Sequence, residues 1–207
     1  MTNKEIDLNA LRALYAQFNA EVNTIHLTYY EIGWALKELH DKIPQLQSHV
    51  LKNVPSISGQ AELDSKPFIF GKNGDPGDPN HVEYVTTTQG QLKQDIMPDG
   101  HAQSHVGQMC LVKIYEIWEN EYREKIAELL SIADKGKIRS DLMGDLRLIR
   151  HDIIHHKGIA SKDIEKCKIL KWFEEGDKIL LNSVRYEQLL LGLRKMNIFV
   201  SDPATPK

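Results

Sequence analysis

Apolar residues recur at spacings of three and four along the first fifth of the chain, residues 6–43. Leu11, Leu14 and Phe18 begin this repeat. Because a helix completes a turn every 3.6 residues, the spacing places the apolar side chains on one face and predicts a long amphipathic helix. Pro44 follows directly and lacks a backbone N–H, so we expect it to kink or interrupt that helix, and the run "PQLQSHVLKN" can add turns beyond it.

The second half of the chain carries the same helical periodicity. We predict helices over residues 99–133, 138–158, 162–173 and 183–197, with a turn and one short strand before the last of them. Asp99 and Ser161 are residue types that cap helix N-termini. Gly158 is suited to the position just after a helix end.

The helical pattern is broken between these two parts. Residues 53–100 hold five of the eight prolines and six of the thirteen glycines. Two β-prone runs, "PFIF" and "HVEYVTTT", flank the turn-rich stretch "GKNGDPGDPN" and predict a two-stranded hairpin, with an irregular loop as the alternative. The predicted fold is therefore mainly α, an up-down helical bundle with a small β-hairpin insertion at 53–98. We expect one domain over residues 1–207 and a frayed tail at 200–207.

Composition argues against several classes of protein: strongly basic nucleic-acid binders, disulfide-rich proteins, secreted proteins and membrane proteins. The net charge of −3 excludes a strongly basic nucleic-acid binder, although residues 101–207 carry 18 Lys and Arg against 16 Asp and Glu. The two cysteines, Cys110 and Cys167, are far apart, which fits a reducing cytoplasm better than a disulfide framework. The first residues are too polar for a signal peptide, and no apolar run approaches the roughly 20 residues that a membrane span needs.

The stretch "LRLIRHDIIHHKG" concentrates titratable side chains near the end of a predicted helix. His151 and His155 are four residues apart and share a face of that helix. Asp152 lies four residues before His156 and three before His155, so it can hold either ring in one orientation. The long side chain of Arg150 can bend toward the same site, or it can face the Arg150 of a second subunit across the axis of a symmetric dimer.

The run "RHDIIH", residues 150–155, resembles the Arg-x4–6-His signature of the HEPN superfamily. His151 stands where members of that superfamily often carry Asn, Asp or His, and the signature lies on a late helix of a small helical bundle. The longer run "DLRLIRHDIIHHKGIA" also resembles bacterial HEPN proteins. The resemblance covers residues 100–195 and does not extend to the hairpin insertion.

This resemblance implies a metal-independent ribonuclease that needs no cofactor and works as a homodimer with a composite active site. It implies that Arg150 binds the scissile phosphate, that His155 is the general base or acid, and that His151 helps to position the substrate. His156 satisfies the signature as well, so either histidine can be the catalytic one. A role as a toxin with an antitoxin partner, or in phage defence, follows from the resemblance alone.

Affinity for RNA depends largely on neutralising phosphates. Lys157, Lys162 and Lys166 lie beside the signature and are our candidate RNA-binding residues.

Three alternatives stand beside the nuclease. The charged cluster can be a polar helix end whose cations offset the helix dipole. The chain can be a HEPN fold kept for dimerisation or ligand binding. It can also be a metal-binding bundle, in which the pair His101 and His105 faces the pair His151 and His155 across a zinc ion.

Overall fold

The computed structural model describes residues 7–72 and 77–201, and within them the chain is mainly helical, as predicted. The chain divides into two compact units, one formed by Met1–Tyr30 with Ser104–Lys207 and the other by Glu31–Gln103. The single domain over 1–207 stays a prediction. None of the helices in the described ranges is long and apolar enough to cross a membrane.

The elements follow one another in this order: α1 (Leu8–Asn53), α2 (Gln60–Ser65), β1 (Pro67–Lys72), β2 (Val82–Thr88), α3 (Gln89–Ile96), α4 (His101–Ile117), a π-helical turn (Trp118–Tyr122), α5 (Arg123–Leu129), a 3-10 turn (Lys135–Lys137), β3 (Ile138–Arg139), α6 (Asp141–His155), a 3-10 turn (Lys162–Lys166), α7 (Ser183–Arg194) and β4 (Phe199–Val200). Within the described ranges the strands form two antiparallel pairs, β1 with β2 and β3 with β4.

The first predicted helix is present, and it includes the further turns that the run after Pro44 can add. Helix α1 continues through Pro44 to Asn53, so the proline does not interrupt it. Pro44 is exposed, and water can therefore solvate the backbone carbonyl that loses its partner there. The Ser48 hydroxyl donates to the Pro44 carbonyl at 2.8 Å and reinforces the next turn.

The larger unit is built around one apolar core. Leu111 and Ile114 of α4 are fully buried, together with Leu146 and Ile149 of α6 and Tyr186 of α7. The pairs on α4 and α6 are three residues apart, which is the helical spacing that the sequence displays. Burial of this face fixes which side of α6 points inward and which remains available for chemistry.

The smaller unit has a separate apolar cluster, Ile43, Leu92 and Ile96. The predicted hairpin is confirmed. Its strands pair from Pro67 opposite Thr88, and the residues 73–76 at its tip lie outside the described part of the chain.

The C-terminal part of the chain differs from the predicted elements at three places. The helix expected over 162–173 is wrong, because only a 3-10 turn at Lys162–Lys166 forms. The short strand expected before α7 is reduced to a single bridge between Ile159 and Lys178. Of the predicted tail, Val200 lies in β4 and the Ser201 N–H donates to the Lys137 carbonyl at 2.8 Å, whereas 202–207 fall outside the described residues.

A buried carboxylate explains why the helix at 162–173 stops early. Asp145 of α6 is 2% exposed and accepts the backbone N–H groups of Lys168, Ile169 and Leu170 at 2.8, 2.6 and 2.7 Å. In a helix those N–H groups would bond to carbonyls four residues earlier. The carboxylate takes them instead, so the backbone runs on without helical hydrogen bonds.

Candidate functional site at the end of helix α6

Helix α6 presents two chemically different faces. Its inner face is apolar except for Asp145 and Asp152, which are 2% and 1% exposed. Gly144, Arg147, His151 and His155 follow one another at spacings of three and four and therefore lie along one outer stripe. We call these four residues the outer stripe of α6. Its two histidines come at the C-terminal end of the helix, where the sequence predicts the site.

The end of α6 is fixed by Asp152. The backbone carbonyl of Asp152 accepts from the N–H groups of His156 at 3.1 Å and Gly158 at 3.0 Å. Lys157 and Gly158 both adopt positive φ, 56° and 72°, so the helix ends one residue earlier than the predicted position of Gly158 implies. Glycine at 158 suits this left-handed conformation, which side chains rarely adopt.

The side chain of Asp152 selects one of the two histidines that the sequence offers. One carboxylate oxygen lies 2.8 Å from Nδ1 of His156, and the other accepts the Ser161 N–H at 2.8 Å. An ionised carboxylate can only accept, so Nδ1 of His156 donates and Nε2 keeps its lone pair when the ring is neutral. His156 is 42% exposed, and Nε2 therefore belongs to a ring that solvent reaches.

The three imidazoles form one cluster on the surface. The ring of His151 lies 4.7 Å from that of His155 and 5.2 Å from that of His156, centroid to centroid. All three side chains are exposed. Neighbouring histidines can take complementary protonation states, so the cluster can both accept and donate a proton near one bound group.

Arg150 faces a different neighbour from the histidines. Its guanidinium carbon lies 5.6 Å from the ring centre of Tyr115 on α4, a cation–π distance. The side chain is half-buried, and its Nε is buried without a hydrogen-bond partner. The structure therefore places Arg150 beside the cluster in sequence and packs its guanidinium against α4.

The donor atoms for a metal ion differ from those the sequence suggests. His151, Asp152 and His156 each offer a ligand atom, and these atoms lie within 4.8 Å of one another. His101 and His105 are exposed on α4 and do not belong to that group in the described part of the chain. Sequence reasoning pairs the histidines by spacing and misses the buried carboxylate as a donor.

The three candidate RNA-binding lysines, Lys157, Lys162 and Lys166, are exposed in the segment that follows α6. Lys166 already pairs with Asp163, Nζ to Oδ1 at 2.6 Å.

Cys167 lies close to the buried carboxylates but is not a reactive thiol. Burial, with the nearby charges of Asp145 and Asp152, raises the pKa of Cys167 to about 12. A thiol with that pKa stays protonated near neutral pH, and the thiolate is the form that attacks or binds metal. The chemistry of the site therefore falls to the imidazoles and the arginine.

Sequence reasoning missed a cavity at the other end of α6. Its volume is about 510 Å³, and Ser140, Gly144 and Arg147 are among the residues that line it. In the sequence these residues read as an ordinary helix start, and the cavity appears only once β3 and α4 are in place.

No protein-family model, curated protein or solved structure matches this chain.

Proposed function

We propose that this chain is a metal-independent RNA endonuclease of the HEPN type, with an up-down helical arrangement and a composite site in a homodimer. The observation that supports it most is the cluster of three exposed imidazoles directly after Arg150, one of them held by a buried carboxylate. A polar helix end needs cations to offset its dipole, but it does not need a buried acid that orients one ring.

The reaction needs a base and an acid. A base removes the proton from the ribose 2′-OH, whose oxygen then attacks the adjacent phosphorus and forms a 2′,3′-cyclic phosphate. An acid gives a proton to the departing 5′-oxygen, which leaves as a hydroxyl. Two imidazoles in opposite protonation states supply both steps, and neither requires a metal ion.

The geometry supports His156 as the base. Asp152 fixes its Nδ1, so Nε2 has a defined direction and an available lone pair. His155, the residue that the HEPN resemblance favours, would then be the acid, with His151 beside it at 4.7 Å. Arg150 would stabilise the charge that develops on the phosphate oxygens, contributed by either subunit of the dimer.

Cleavage of labelled RNA in EDTA tests the proposal. The unmodified chain should cut, leaving 2′,3′-cyclic phosphate and 5′-OH ends. Arg150→Ala, His155→Ala and His156→Ala should each lower the rate by about 10²–10⁴. His49→Ala, which removes an exposed histidine of the smaller unit, is the matched control and should cut normally.

Circular dichroism of each variant separates lost chemistry from lost folding. The proposal fails if the unmodified chain does not cut RNA, or if Arg150→Ala cuts at the same rate. Cutting by His156→Ala with an inactive His155→Ala would return the base to His155. Sedimentation at micromolar concentration tests the homodimer.

A divalent-metal site is the second candidate, because His151, Asp152 and His156 bring three donor atoms within 4.8 Å. Nitrogen and carboxylate donors in this combination suit zinc. Activity that disappears in EDTA and returns with zinc would favour this candidate over the metal-independent nuclease.

A further inference from the structure

The cavity at the start of α6 has the features of an anion site. It lies entirely within the larger unit, and its volume of about 510 Å³ is large enough for a small ligand. Arg139 and Arg147 lie on its wall, and Ser140 stands at the point where α6 begins. The cavity is separate from the histidine cluster, which lies at the other end of the helix.

The first turn of α6 leaves backbone donors for a ligand. The first N–H groups of any helix have no partner within it, and they form the positive end of the helix dipole. Here the first helical hydrogen bond runs from the Gly144 N–H to the Ser140 carbonyl at 2.9 Å, so the N–H groups before Gly144 need other acceptors. Ser140 occupies the N-cap position, yet its side chain does not accept any of them.

The Ser140 hydroxyl is itself without a partner. The residue is 6% exposed, and its Oγ is buried with no hydrogen bond. A buried hydroxyl that lacks a partner costs free energy, and native proteins rarely leave one unsatisfied. Ser140 also lines the cavity, so rotation about its Cα–Cβ bond would turn this hydroxyl toward an anion seated there, beside the N–H groups of the first turn.

The charges of the wall also favour an anion. Its carboxylates already have partners: Glu119 bonds to Arg123 at 2.7 Å, Asp141 bonds to Lys168 at 2.6 Å, and Asp145 holds three backbone N–H groups. Within the described ranges, neither Arg139 nor Arg147 has a carboxylate at ion-pair distance. The Arg147 guanidinium therefore remains for a ligand, and Arg139, whose Nε donates to the Gly136 carbonyl at 3.4 Å, keeps its two terminal nitrogens for one.

We propose that this cavity binds a phosphate group. Arginine and a helix N-terminus are the two protein features that recognise phosphate best, and both converge here. Arg147 also belongs to the outer stripe of α6, which leads from the cavity to His151 and His155. At 1.5 Å per residue, the distance along the helix from Ser140 to His155 is roughly 20 Å.

The distance between the cavity and the histidines suggests that the phosphate site binds part of the RNA substrate; this role rests on the proposed ribonuclease function. An RNA strand lying along the outer stripe with its scissile bond at the histidines would place a phosphate several nucleotides away in the cavity. The cavity is then a remote substrate subsite, which contributes binding energy without touching the reacting atoms.

Calorimetric titration with inorganic phosphate tests the site without RNA. The unmodified chain should bind phosphate saturably. Arg147→Ala should weaken the binding at least tenfold, and Ser140→Ala should weaken it severalfold. Lys178→Ala removes the same charge from an exposed position of the larger unit outside the cavity lining and should bind as tightly as the unmodified chain. No saturable binding, or equal weakening by Lys178→Ala and Arg147→Ala, would overturn the site.

Kinetics on RNA then distinguish the source of the phosphate. If the cavity serves RNA, Arg147→Ala raises KM severalfold and leaves kcat unchanged, and inorganic phosphate inhibits competitively. If phosphate binds as expected but KM does not change, the cavity takes a free phosphate compound and its assignment to RNA is wrong. If the unmodified chain does not cut RNA, the proposed nuclease fails, while calorimetry still decides the phosphate site.

Discussion

Replacing Asp145 with alanine should destabilise the larger unit far more than replacing a carboxylate on the surface would. Asp145 is 2% exposed and accepts three backbone N–H groups, from Lys168, Ile169 and Leu170, at distances of 2.6–2.8 Å. In Asp145→Ala all three donors lose their acceptor at once. Lys168 and Ile169 are exposed, so water can satisfy their N–H groups after a small shift, but Leu170 is buried.

The size of the effect follows from that difference. An unsatisfied buried donor costs about 1–3 kcal/mol, and the two exposed N–H groups lose part of a charge-assisted bond each, so we expect a loss of about 3–4 kcal/mol in the free energy of unfolding. Asp145→Asn keeps one carbonyl acceptor and should lose about half as much. Domains of ordinary size have only about 5–15 kcal/mol of stability in total, so the alanine variant should be easily measured.

Asp141→Ala is the matched control. It removes a carboxylate from the same helix, and its partner is the Lys168 side chain at 2.6 Å, with both groups well exposed. An exposed ion pair of this kind contributes about 1 kcal/mol or less. Urea denaturation followed by circular dichroism compares the variants, and hydrogen exchange at the amides of 168–170 gives the local readout. Equal stability of Asp145→Ala and Asp141→Ala, with unchanged exchange at those amides, would refute the reasoning.

Three further predictions concern single residues. Burial, with the charge of Arg194, lowers the pKa of His26 from 6.5 to about 4. As the pH falls, the unfolded chain therefore takes up a proton on His26 before the folded chain does, and the free energy of unfolding should fall by about 3 kcal/mol between pH 6.5 and pH 4. Denaturation measured across that range should show a smaller dependence on pH for His26→Gln. Asp152→Asn should lower RNA cleavage 10–100-fold at unchanged KM, because a neutral amide holds the His156 ring less firmly than the carboxylate does; a normal rate would exclude that role, and circular dichroism checks that loss of the Ser161 contact has not unfolded the chain. Gly144→Ala should stabilise α6 by about 0.5–1 kcal/mol in thermal denaturation, since the added Cβ meets nothing within 4 Å.

The sequence predicts the helical elements well where apolar spacing is the main signal. Helix α1, the run from α4 to α5, and α6 appear near their expected positions because each buries one regular face. The hairpin is predicted by turn residues between two β-prone runs.

The same reasoning fails after α6. The run "KDIEKCKILKWF" has helical spacing, but its backbone is held by the carboxylate of Asp145, more than twenty residues earlier in the chain. Propensity describes a local preference, and a long-range hydrogen bond to a buried charge outweighs it here. No local pattern could reveal this contact.

The candidate site shows the same limit. Spacing brings His151, His155 and His156 to the end of one helix and offers Asp152 two possible partners, but only the fold decides between them. The sequence gives no sign of the cavity at Ser140, because its walls come from elements that are far apart in the chain. Nor does it show that the Ser140 hydroxyl lacks a hydrogen-bond partner, because that depends on the packing around it.

Helix α6 explains how one segment can carry both a structural and a chemical role. Asp145 and Asp152 lie seven residues apart on its inner face. The carboxylate of Asp145 accepts three backbone N–H groups of the chain that follows, and that of Asp152 accepts one, from Ser161. Together they hold that chain against the helix, and Asp152 uses its second oxygen to fix His156 at the surface. Substitution of either aspartate therefore disturbs the backbone as well as any reaction. Arg147, His151 and His155 of the outer stripe have no such structural role, because their side chains are exposed. Variants of these three residues are the ones that can separate function from folding.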